Sequence, residues 1–340
     1  MKKVLITIFF ILILPLKSIA QDINVAYTID KNYSLFAMIS IFSVLENNYL
    51  NNKYNFFIVE NDIPQKRLDE MKNFVNKRGQ NIYFIHINSD DICKGENIYL
   101  SLHNRISKIG MARILLPDLL PKNIHRVIYI DADTLVSDDL SKLYNVDLKN
   151  NIFGMVKDIH PFLEGKVNQY YNSGLIVMDL DKSRKEKISD KLFNFYYKNH
   201  LKFSPDSKGK IKYWLADQDL INLVLKNNIE KLPNKWNNQI LADYIMMPQT
   251  NGIYHYIGDI KPWHFPKSNV QSYKLYYYYW NKSPFKKYKY YYYFASFNKI
   301  YMRNVLNLYN SIKSDHYHLI QLIKNILWDS KYFFVCFLYN

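Results

Sequence analysis

Cysteine is scarce in this sequence, and the glycine-rich phosphate-binding motifs are missing. The 340 residues include only Cys93 and Cys336, far apart and outside any Cys-x-x-Cys pattern, which argues against a disulfide framework or a structural zinc site. Neither Gly-x-Gly-x-x-Gly nor a Walker loop occurs, so a dinucleotide or P-loop grip on phosphate is disfavoured.

Acidic residues are few relative to basic ones. Thirty Asp and Glu face 45 Lys and Arg, which gives a net charge of +15. Such an excess indicates a polyanionic partner, whether nucleic acid, phosphorylated lipid, anionic membrane or nucleotide. With 49% apolar and 22% charged residues, the chain is expected to be mostly globular, as one large domain or one domain with an appendage.

The N-terminal segment resembles a targeting sequence. Lys2 and Lys3 precede an apolar run over residues 4–16, and residues 18–20 form a small-residue pattern typical of cleavage sites. The run is shorter than the roughly 20 residues of a stable membrane span. Residues 1–20 are therefore predicted to be a signal peptide or an uncleaved membrane anchor.

Strand and helix patterns alternate after this segment. Strands are predicted over residues 23–29, 54–59, 82–87 and 127–130, and helices over 35–45, 64–78 and 109–116. Asn32 or Ser34 is expected to cap the first helix. This alternation predicts an α/β fold whose parallel strands are joined by right-handed crossovers.

Two carboxylates end the strand over residues 127–130. Asp131 and Asp133 are one residue apart, so in extended backbone they point to the same side. Small Ala132 between them leaves room for a bulky ligand. Converging carboxylates at the carboxyl end of a strand suit a divalent cation, although Asp is also common where strands simply turn.

Other polar residues in the second half suit the same chemistry. His255 supplies an imidazole, which favours Mn²⁺ over Mg²⁺, and Lys261 supplies a positive charge six residues later. Asp217 and Asp219 lie at a predicted helix start, where acidic residues also suit the helix dipole. Each residue alone has an ordinary structural explanation. The segments over 236–238 and 255–264 are both predicted to be loops.

In this order the motifs resemble glycosyltransferase family 8, and in particular the bacterial lipopolysaccharide core α-glucosyl- and galactosyltransferases. The resemblance covers residues 23–268. The matching residues are Thr28, Ile29, Asp30, Lys31, Asn32 and Tyr33, then Ala112 and Arg113, the run from Tyr129 to Asp133, Asn172-Ser173-Gly174, Asp217-Gln218-Asp219, and His255, Gly258, Lys261, Pro262 and Trp263. The Asp-x-Asp pair alone is weak evidence, whereas the ordered His-x-x-Gly-x-x-Lys-Pro-Trp element behind it is specific.

The resemblance implies a fold and a role for each matching residue. The fold would be of the GT-A type, with a mixed, mostly parallel sheet. Asp131, Asp133 and His255 would bind Mn²⁺, with Mg²⁺ as the alternative. The residues expected to bind the UDP-sugar donor are Thr28, Ile29, Asp30, Asn32, Tyr33, Arg113, Ile130, Asp131, Ala132, Asp158, Asn172, Ser173, Gly258 and Lys261. Gln218, flanked by Asp217 and Asp219, would lie beside the anomeric carbon.

The function implied is transfer of galactose or glucose from UDP to a lipopolysaccharide or lipooligosaccharide core acceptor, with retention of configuration. A glycosyl-enzyme route through Gln218 or Asp219 and same-face attack by the acceptor both remain open. Same-face attack is favoured, because an amide is a poor nucleophile. The alternative functions are transfer to another glycan or protein, and a catalytically silent UDP-sugar-binding protein at a membrane.

The domain organisation predicted is a targeting or anchor segment over 1–20, a catalytic domain over 21–268 and a helical extension over 269–340. The extension is rich in tyrosine and lysine, a combination that suits an anionic membrane surface or a basic subdomain packed on the core. Nucleic acid is not an expected partner, because no RNA- or DNA-binding motif occurs. We expect peripheral or N-terminally anchored attachment to the inner membrane with a cytoplasmic catalytic domain, and export is the alternative.

Overall fold

The computed structural model of the chain describes residues 20–88, 91–93, 108–160, 169–203, 216–241, 251–258, 261–264 and 271–293. The predictions made for residues 1–19 and for the tail after residue 293 lie outside these ranges. Within them, no helix combines the length and apolar character needed to cross a membrane.

Strands and helices alternate in the first half, as the sequence predicts. The elements are β1 (Asp22–Asp30), α1 (Ser34–Glu46), β2 (Lys53–Asn61), α2 (Gln65–Asn76), β3 (Asn81–His86), α3 (Leu116–Leu119) and β4 (Arg126–Ile130). A 3-10 helix over Lys108–Leu115 runs directly into α3.

The second half adds short strands around further helices. These elements are β5 (Thr134–Val136), α4 (Ser141–Tyr144), β6 (Phe153–Lys157), β7 (Tyr171–Asp179), α5 (Leu180–Lys185), α6 (Ile188–Phe203), α7 (Ala216–Leu225), β8 (Ile229–Lys231), β9 (Asn238–Ile240), β10 (Ile253–Tyr256) and α8 (Gln271–Lys282). A 3-10 helix over Asn234–Asn237 precedes β9 directly.

The described strands form two sheets. A seven-stranded sheet has the order β3-β2-β1-β4-β7-β6-β8, and a three-stranded sheet has the order β5-β10-β9. In the large sheet, β7 runs antiparallel to both neighbours, β4 and β6, while the other pairs are parallel. The predicted mixed, mostly parallel sheet is therefore confirmed.

Side chains alternate between two hydrophobic cores on the two faces of the large sheet. On β1, Val25 and Tyr27 point into the core that contains α1 and α2, whereas Ala26 points into the core that contains α6 and α7. Because both faces are covered, the strands are apolar almost throughout. Polar side chains are left for the strand ends, where the candidate site lies.

The first helix of the C-terminal extension packs against the core on the α1 side. Trp280 is fully buried, and its ring meets that of Phe36 edge to face at 6.3 Å. Its indole N–H donates to the carbonyl of Phe285 at 3.2 Å. A helical character was predicted here, and α8 is helical. Its packing is that of a subdomain seated on the core.

The helix predicted over residues 109–116, which carries Arg113, is present as a 3-10 helix over Lys108–Leu115. The loops predicted around Asn238 and His255 were wrong. His255 lies in β10 and Asn238 in β9, not in loops. β9 is three residues long and pairs with β10, which is four residues long and also pairs with β5. Their strand conformation depends on partners distant in sequence, which local propensity does not reveal.

The predicted cap of α1 was also wrong. Tyr33 occupies the N-cap position and makes no capping side-chain hydrogen bond. Instead, Oδ1 of Asp30 accepts from the backbone N–H groups of Asn32 and Tyr33 at 2.9 and 3.1 Å. A carboxylate at the end of β1 therefore organises the turn into the helix, the local geometry favoured by Asp in turns.

Candidate active site

Two carboxylates and an imidazole converge at the carboxyl end of β4. Asp131 and Asp133 occupy the turn between β4 and β5, and His255 on β10 pairs in register with Thr134 of β5. One ligand atom from each of the three residues lies within 4.8 Å of the others. His255 Nε2 is 3.2 Å from Asp133 Oδ1 and 3.7 Å from Asp131 Oδ2. The sequence predicted these three residues as metal ligands, and the structure brings them together.

The backbone of β7 leaves space for this group through a glycine. A Cβ added at Gly174 would lie 2.1 Å from Cε1 of His255 and 2.9 Å from Oδ2 of Asp131. The Gly174 carbonyl also accepts from the N–H of Asp131 at 2.9 Å. The chain thus passes in van der Waals contact with the carboxylate and the imidazole, and only a residue without a side chain fits there.

Lys261 lies beside the same group. Its ammonium donates to Oδ2 of Asp133 at 2.5 Å and to the carbonyl of Tyr256 at 2.6 Å. Gly258, two residues after β10, has a φ of +80°, a backbone conformation that favours glycine. Burial would raise the pKa of Asp133, but Lys261 and then His255 outweigh it and hold the pKa below its usual range.

Arg113 is clamped between two carboxylates. It lies 3.2 Å from Oδ1 of Asp131 and 3.2 Å from Oδ2 of Asp217. Its guanidinium also donates to the carbonyl of Ser173 at 2.9 Å and stacks over the ring of Tyr129. Burial lowers the pKa of Arg113, but these two carboxylates outweigh it and the net shift is upward. Arg113 therefore links Asp131 of the metal-ligand group to Asp217 beside Gln218.

The Gln218 side chain is held at both ends of its amide. Oε1 accepts from the backbone N–H of Ser173 at 2.9 Å, and Nε2 donates to Oδ2 of Asp158 at 3.0 Å. Nδ2 of Asn172 donates to the same Asp158 oxygen at 2.9 Å. The predicted donor-binding residues Asp158, Asn172 and Ser173 thus form one buried network with the predicted catalytic glutamine.

The two aspartates that flank Gln218 are both buried. Asp217 accepts from the hydroxyl of Ser173 at 2.9 Å, and burial raises its pKa although Arg113 partly opposes the shift. Asp219 is 1% exposed and accepts from the hydroxyl of Tyr170 at 2.6 Å. Both aspartates are therefore engaged in buried hydrogen bonds.

The predicted uridine-binding residues follow β1 to its carboxyl end. The hydroxyl of Thr28 is 3.1 Å from that of Tyr129, which in turn donates to Asp131. Burial raises the pKa of Tyr33, and the charges of Asp133, Asp131 and Asp30 add to the shift. The side chain of Ile29 lies in the hydrophobic core, which leaves only its backbone to face a ligand.

Ile130 and Ala132 flank Asp131 and contribute little side chain to the site. Ile130 is fully buried in the core, and Ala132 is 6% exposed. Both fit the role of small or inward-facing neighbours to a carboxylate.

Sequence reasoning missed two residues that touch the metal-ligand group. Tyr129, two residues before Asp131, donates to it, and strand alternation could have indicated that contact. Oδ1 of Asn237 lies 3.0 Å from Nδ1 of His255. No signal in the sequence indicated Asn237, because the contact joins two short elements that pair only in the folded chain.

The donor set fits a divalent cation. Two carboxylates and an imidazole form a mixed oxygen and nitrogen set, and Gly174 leaves them unobstructed. Asp131, Asp133 and His255 are the residues that would hold the ion.

Comparison with known proteins agrees with this geometry. The profile of Glycosyl transferase family 8 matches residues 24–267. The lipopolysaccharide 1,2-glucosyltransferase of Escherichia coli K12 is 27% identical over 267 residues, which span 72% of this chain and 74% of that protein. General stress protein A of Bacillus subtilis is 28% identical over 258 residues, which span 69% of this chain and 85% of that protein.

A solved structure shares the fold. The galactosyltransferase LgtC, crystallised with donor and acceptor sugar analogues, superposes with a TM-score of 0.63 at 21% identity and covers 77% of this chain and 96% of its own. The likeness extends over the GT-A type sheet and its helices. The chain belongs to glycosyl transferase family 8.

Proposed function

We propose that this glycosyltransferase moves galactose or glucose from a UDP-sugar to a lipopolysaccharide or lipooligosaccharide core acceptor, with retention of configuration and with Mn²⁺ as its cofactor. The observation that carries the proposal is the convergence of Asp131, Asp133 and His255 with Lys261 beside them. The acceptor class is supported by the lipopolysaccharide glucosyltransferase among the relatives.

The metal would supply charge neutralisation at the diphosphate of the donor. Imidazole ligation favours Mn²⁺ over Mg²⁺, which prefers oxygen ligands alone. Lys261 is placed to donate to oxygens of the departing phosphate, where negative charge grows during transfer. Thr28, Asp30 and Asn32 at the end of β1 are proposed to hold the uridine and ribose.

Same-face transfer fits the positions of Gln218 and Asp219 better than a glycosyl-enzyme. The carbonyl oxygen of Gln218 already accepts from the N–H of Ser173, and Asp219 is buried against Tyr170. In same-face transfer, the bond from the anomeric carbon to the phosphate breaks while the acceptor oxygen bonds to that carbon. The acceptor hydroxyl proton passes to the leaving phosphate oxygen, which yields the glycoside and UDP.

UDP release by the purified protein tests the proposal. It is measured with UDP-galactose and with UDP-glucose, with and without a core lipooligosaccharide acceptor, in Mn²⁺ and in EDTA. We expect metal-dependent release from one donor, with more product when acceptor is present. For Asp133→Asn, which removes a metal ligand, the matched control in this assay is Asp147→Asn, which changes an exposed aspartate. If the protein binds UDP but shows no turnover in the presence of acceptor, the catalytically silent binding protein is favoured. If turnover occurs only with another glycan or with a protein, that molecule is the acceptor instead of the lipooligosaccharide core.

Peripheral membrane attachment is a second part of the proposal. On α8, Tyr278 is 53% exposed and the ammonium of Lys282 lies 5.4 Å from its ring centroid. Exposed Tyr290 and Tyr291 follow on the chain. Aromatic rings with adjacent lysines suit the headgroup region of an anionic bilayer. We expect the protein to co-sediment with phosphatidylglycerol vesicles but not with phosphatidylcholine vesicles. Equal co-sedimentation with both kinds of vesicle would refute attachment to an anionic membrane.

Attachment at the cytoplasmic face of the inner membrane follows from the donor, since UDP-sugars are made in the cytoplasm. Cell fractionation, combined with N-terminal sequencing of the mature protein, tests this location. An intact Met1 in the inner-membrane fraction fits an anchor, whereas cleavage after Ala20 with periplasmic recovery fits export.

A further inference from the structure

Asn237 joins the metal-ligand histidine to the Gln218 network. The residue is 2% exposed and closes the 3-10 helix that precedes β9. Its Nδ2 donates to Oδ1 of Asn172 at 2.8 Å, and its Oδ1 is 3.0 Å from Nδ1 of His255. None of the roles implied by the family resemblance involves this side chain.

The orientation of Asn172 is fixed by the backbone. Its Oδ1 faces the N–H of Gly174 at 3.0 Å, and a backbone N–H can only donate. Its Nδ2 faces Oδ2 of Asp158 at 2.9 Å, which suits a donor. The amide of Asn172 therefore presents an acceptor, and not a donor, towards Asn237.

This orientation passes to Asn237 and then to His255. Because Oδ1 of Asn172 can only accept, the Asn237 atom that faces it must be the amide nitrogen. The carbonyl oxygen of Asn237 then faces Nδ1 of His255, so that ring nitrogen must carry the proton. With a proton on Nδ1, Nε2 is the ring nitrogen that faces Asp131 and Asp133 and is left to bind a metal.

We infer that Asn172 and Asn237 are positioning residues that keep a proton on Nδ1 of His255 and so leave Nε2 as the ring atom that binds the metal. The inference rests on the metal site of the proposed function. The opposite tautomer would set a ring lone pair against the Asn237 carbonyl, and a rotated Asn237 amide would set two carbonyl oxygens against each other. Outer hydrogen-bond partners of this kind orient metal-ligating histidines in general.

The tautomer is measurable without metal or activity. Nitrogen-15 NMR of histidine-labelled, metal-free protein separates a protonated from an unprotonated ring nitrogen, and the His255 signals are assigned by their loss in His255→Asn. We expect a protonated Nδ1 for His255 in the unaltered chain and a shift towards an unprotonated Nδ1 in Asn237→Leu. An unprotonated Nδ1 in the unaltered chain would overturn the inference, even if Asn237→Leu failed to fold.

Mn²⁺ affinity gives the second readout, measured by electron paramagnetic resonance in the presence of UDP. We expect Asn237→Leu to weaken Mn²⁺ binding about 10- to 100-fold, the scale of outer-shell changes. Asn237→Asp keeps an acceptor for the Nδ1 proton and should bind Mn²⁺ at least as well as the unaltered chain. If the role of Asn237 were purely structural, Asn237→Asp should bind Mn²⁺ more weakly than Asn237→Leu, because the new buried carboxylate would face Oδ1 of Asn172.

Asn55→Leu is the matched control. Asn55 is also a buried amide that donates to one asparagine and accepts from another, but it lies at the amino ends of the strands. The Mn²⁺ affinity of Asn55→Leu should equal that of the unaltered chain. If the unaltered chain binds no Mn²⁺, the proposed metal site fails, while the NMR result still decides the tautomer.

Discussion

The two ends of β1 and its neighbouring strands both bury polar side chains, but in opposite ways. At the amino end, Asn24, Asn55 and Asn81 stand side by side on β1, β2 and β3. Asn81 donates to Asn55 at 2.8 Å and Asn55 donates to Asn24 at 3.2 Å. Asn24 donates onward to the hydroxyl of Tyr144 at 2.8 Å. This network is neutral, and its amides satisfy one another.

The carboxyl end gathers charge instead of neutral amides. Arg113 contacts two carboxylates, Lys261 contacts Asp133, and an imidazole nitrogen faces both Asp131 and Asp133. The comparison teaches that buried polarity alone does not mark a functional site in this fold. A surplus of carboxylates around one open position distinguishes the site from the structural network.

The largest expected effect is the loss of activity when a metal ligand at the carboxyl ends of the strands is removed. In Asp133→Asn we expect activity to fall about 10³-fold, because the loss of Lewis-acid stabilisation is worth several kcal/mol. The residual activity should no longer depend on Mn²⁺. UDP release with Mn²⁺ and with EDTA measures both effects, and circular dichroism checks folding. A fully active, metal-independent variant would refute the ligand assignment.

Gln218→Ala should affect the reaction more than the binding of nucleotide. We expect turnover to fall about 10²-fold, the scale for one polar group that acts at the reacting centre. UDP affinity, measured by calorimetry, should stay close to that of the unaltered chain. Loss of UDP binding would instead place Gln218 among the groups that hold the nucleotide.

Gly174→Ala tests whether space, rather than chain flexibility, is required beside His255. The new methyl group would overlap the imidazole, so we expect Mn²⁺ affinity to fall at least about 10-fold and stability to fall by about 1–3 kcal/mol. Gly79→Ala is the control, since its Cβ would meet nothing within 4 Å although φ is +69°. Backbone strain alone should cost about 1–2 kcal/mol there, with Mn²⁺ affinity unchanged. Equal Mn²⁺ affinity in both variants would contradict the close approach.

Asn55→Leu should break the amino end and leave the chemistry intact. It deprives Asn24 and Asn81 of their shared partner, and an orphaned buried polar group costs about 1–3 kcal/mol. We therefore expect a lower free energy of unfolding in urea, with the UDP release per folded molecule unchanged. A selective loss of activity at full stability would mean that the two ends are coupled.

The smallest expected effect is on the acid dependence of stability. The folded-state pKa of Asp133 lies below its ordinary value of 3.8, so its ionised form stabilises the fold above that pH. This stabilisation is lost as pH falls through the folded pKa. The stability difference between the metal-free unaltered chain and Asp133→Asn should therefore shrink below about pH 4. Urea unfolding from pH 6 to pH 3 measures it, and a constant difference would contradict the shift.

The sequence predicted the parts of the site that depend on local pattern. The strand over residues 127–130 and the alternation rule placed Asp131 and Asp133 together, and ordered motifs added His255 and Lys261. It did not predict that His255 lies in a strand, because Gly258 and Pro262 suggest a break while the strand itself is formed by pairing with β5 and β9. Asn237 was not predicted, because its contacts join elements that pair only in the folded chain. The contact between Tyr129 and Asp131 follows from strand alternation, which places residues i and i+2 on one side.

The ion pair between Lys261 and Asp133 has a consequence for how the chain folds. These residues are 128 positions apart in the sequence, so their contact closes a long loop. Contacts of such long range close late, because a large loop must be ordered before they contribute. Metal binding should therefore be among the last signals to recover during refolding from denaturant, and its amplitude would count the molecules that have reached the fully folded state.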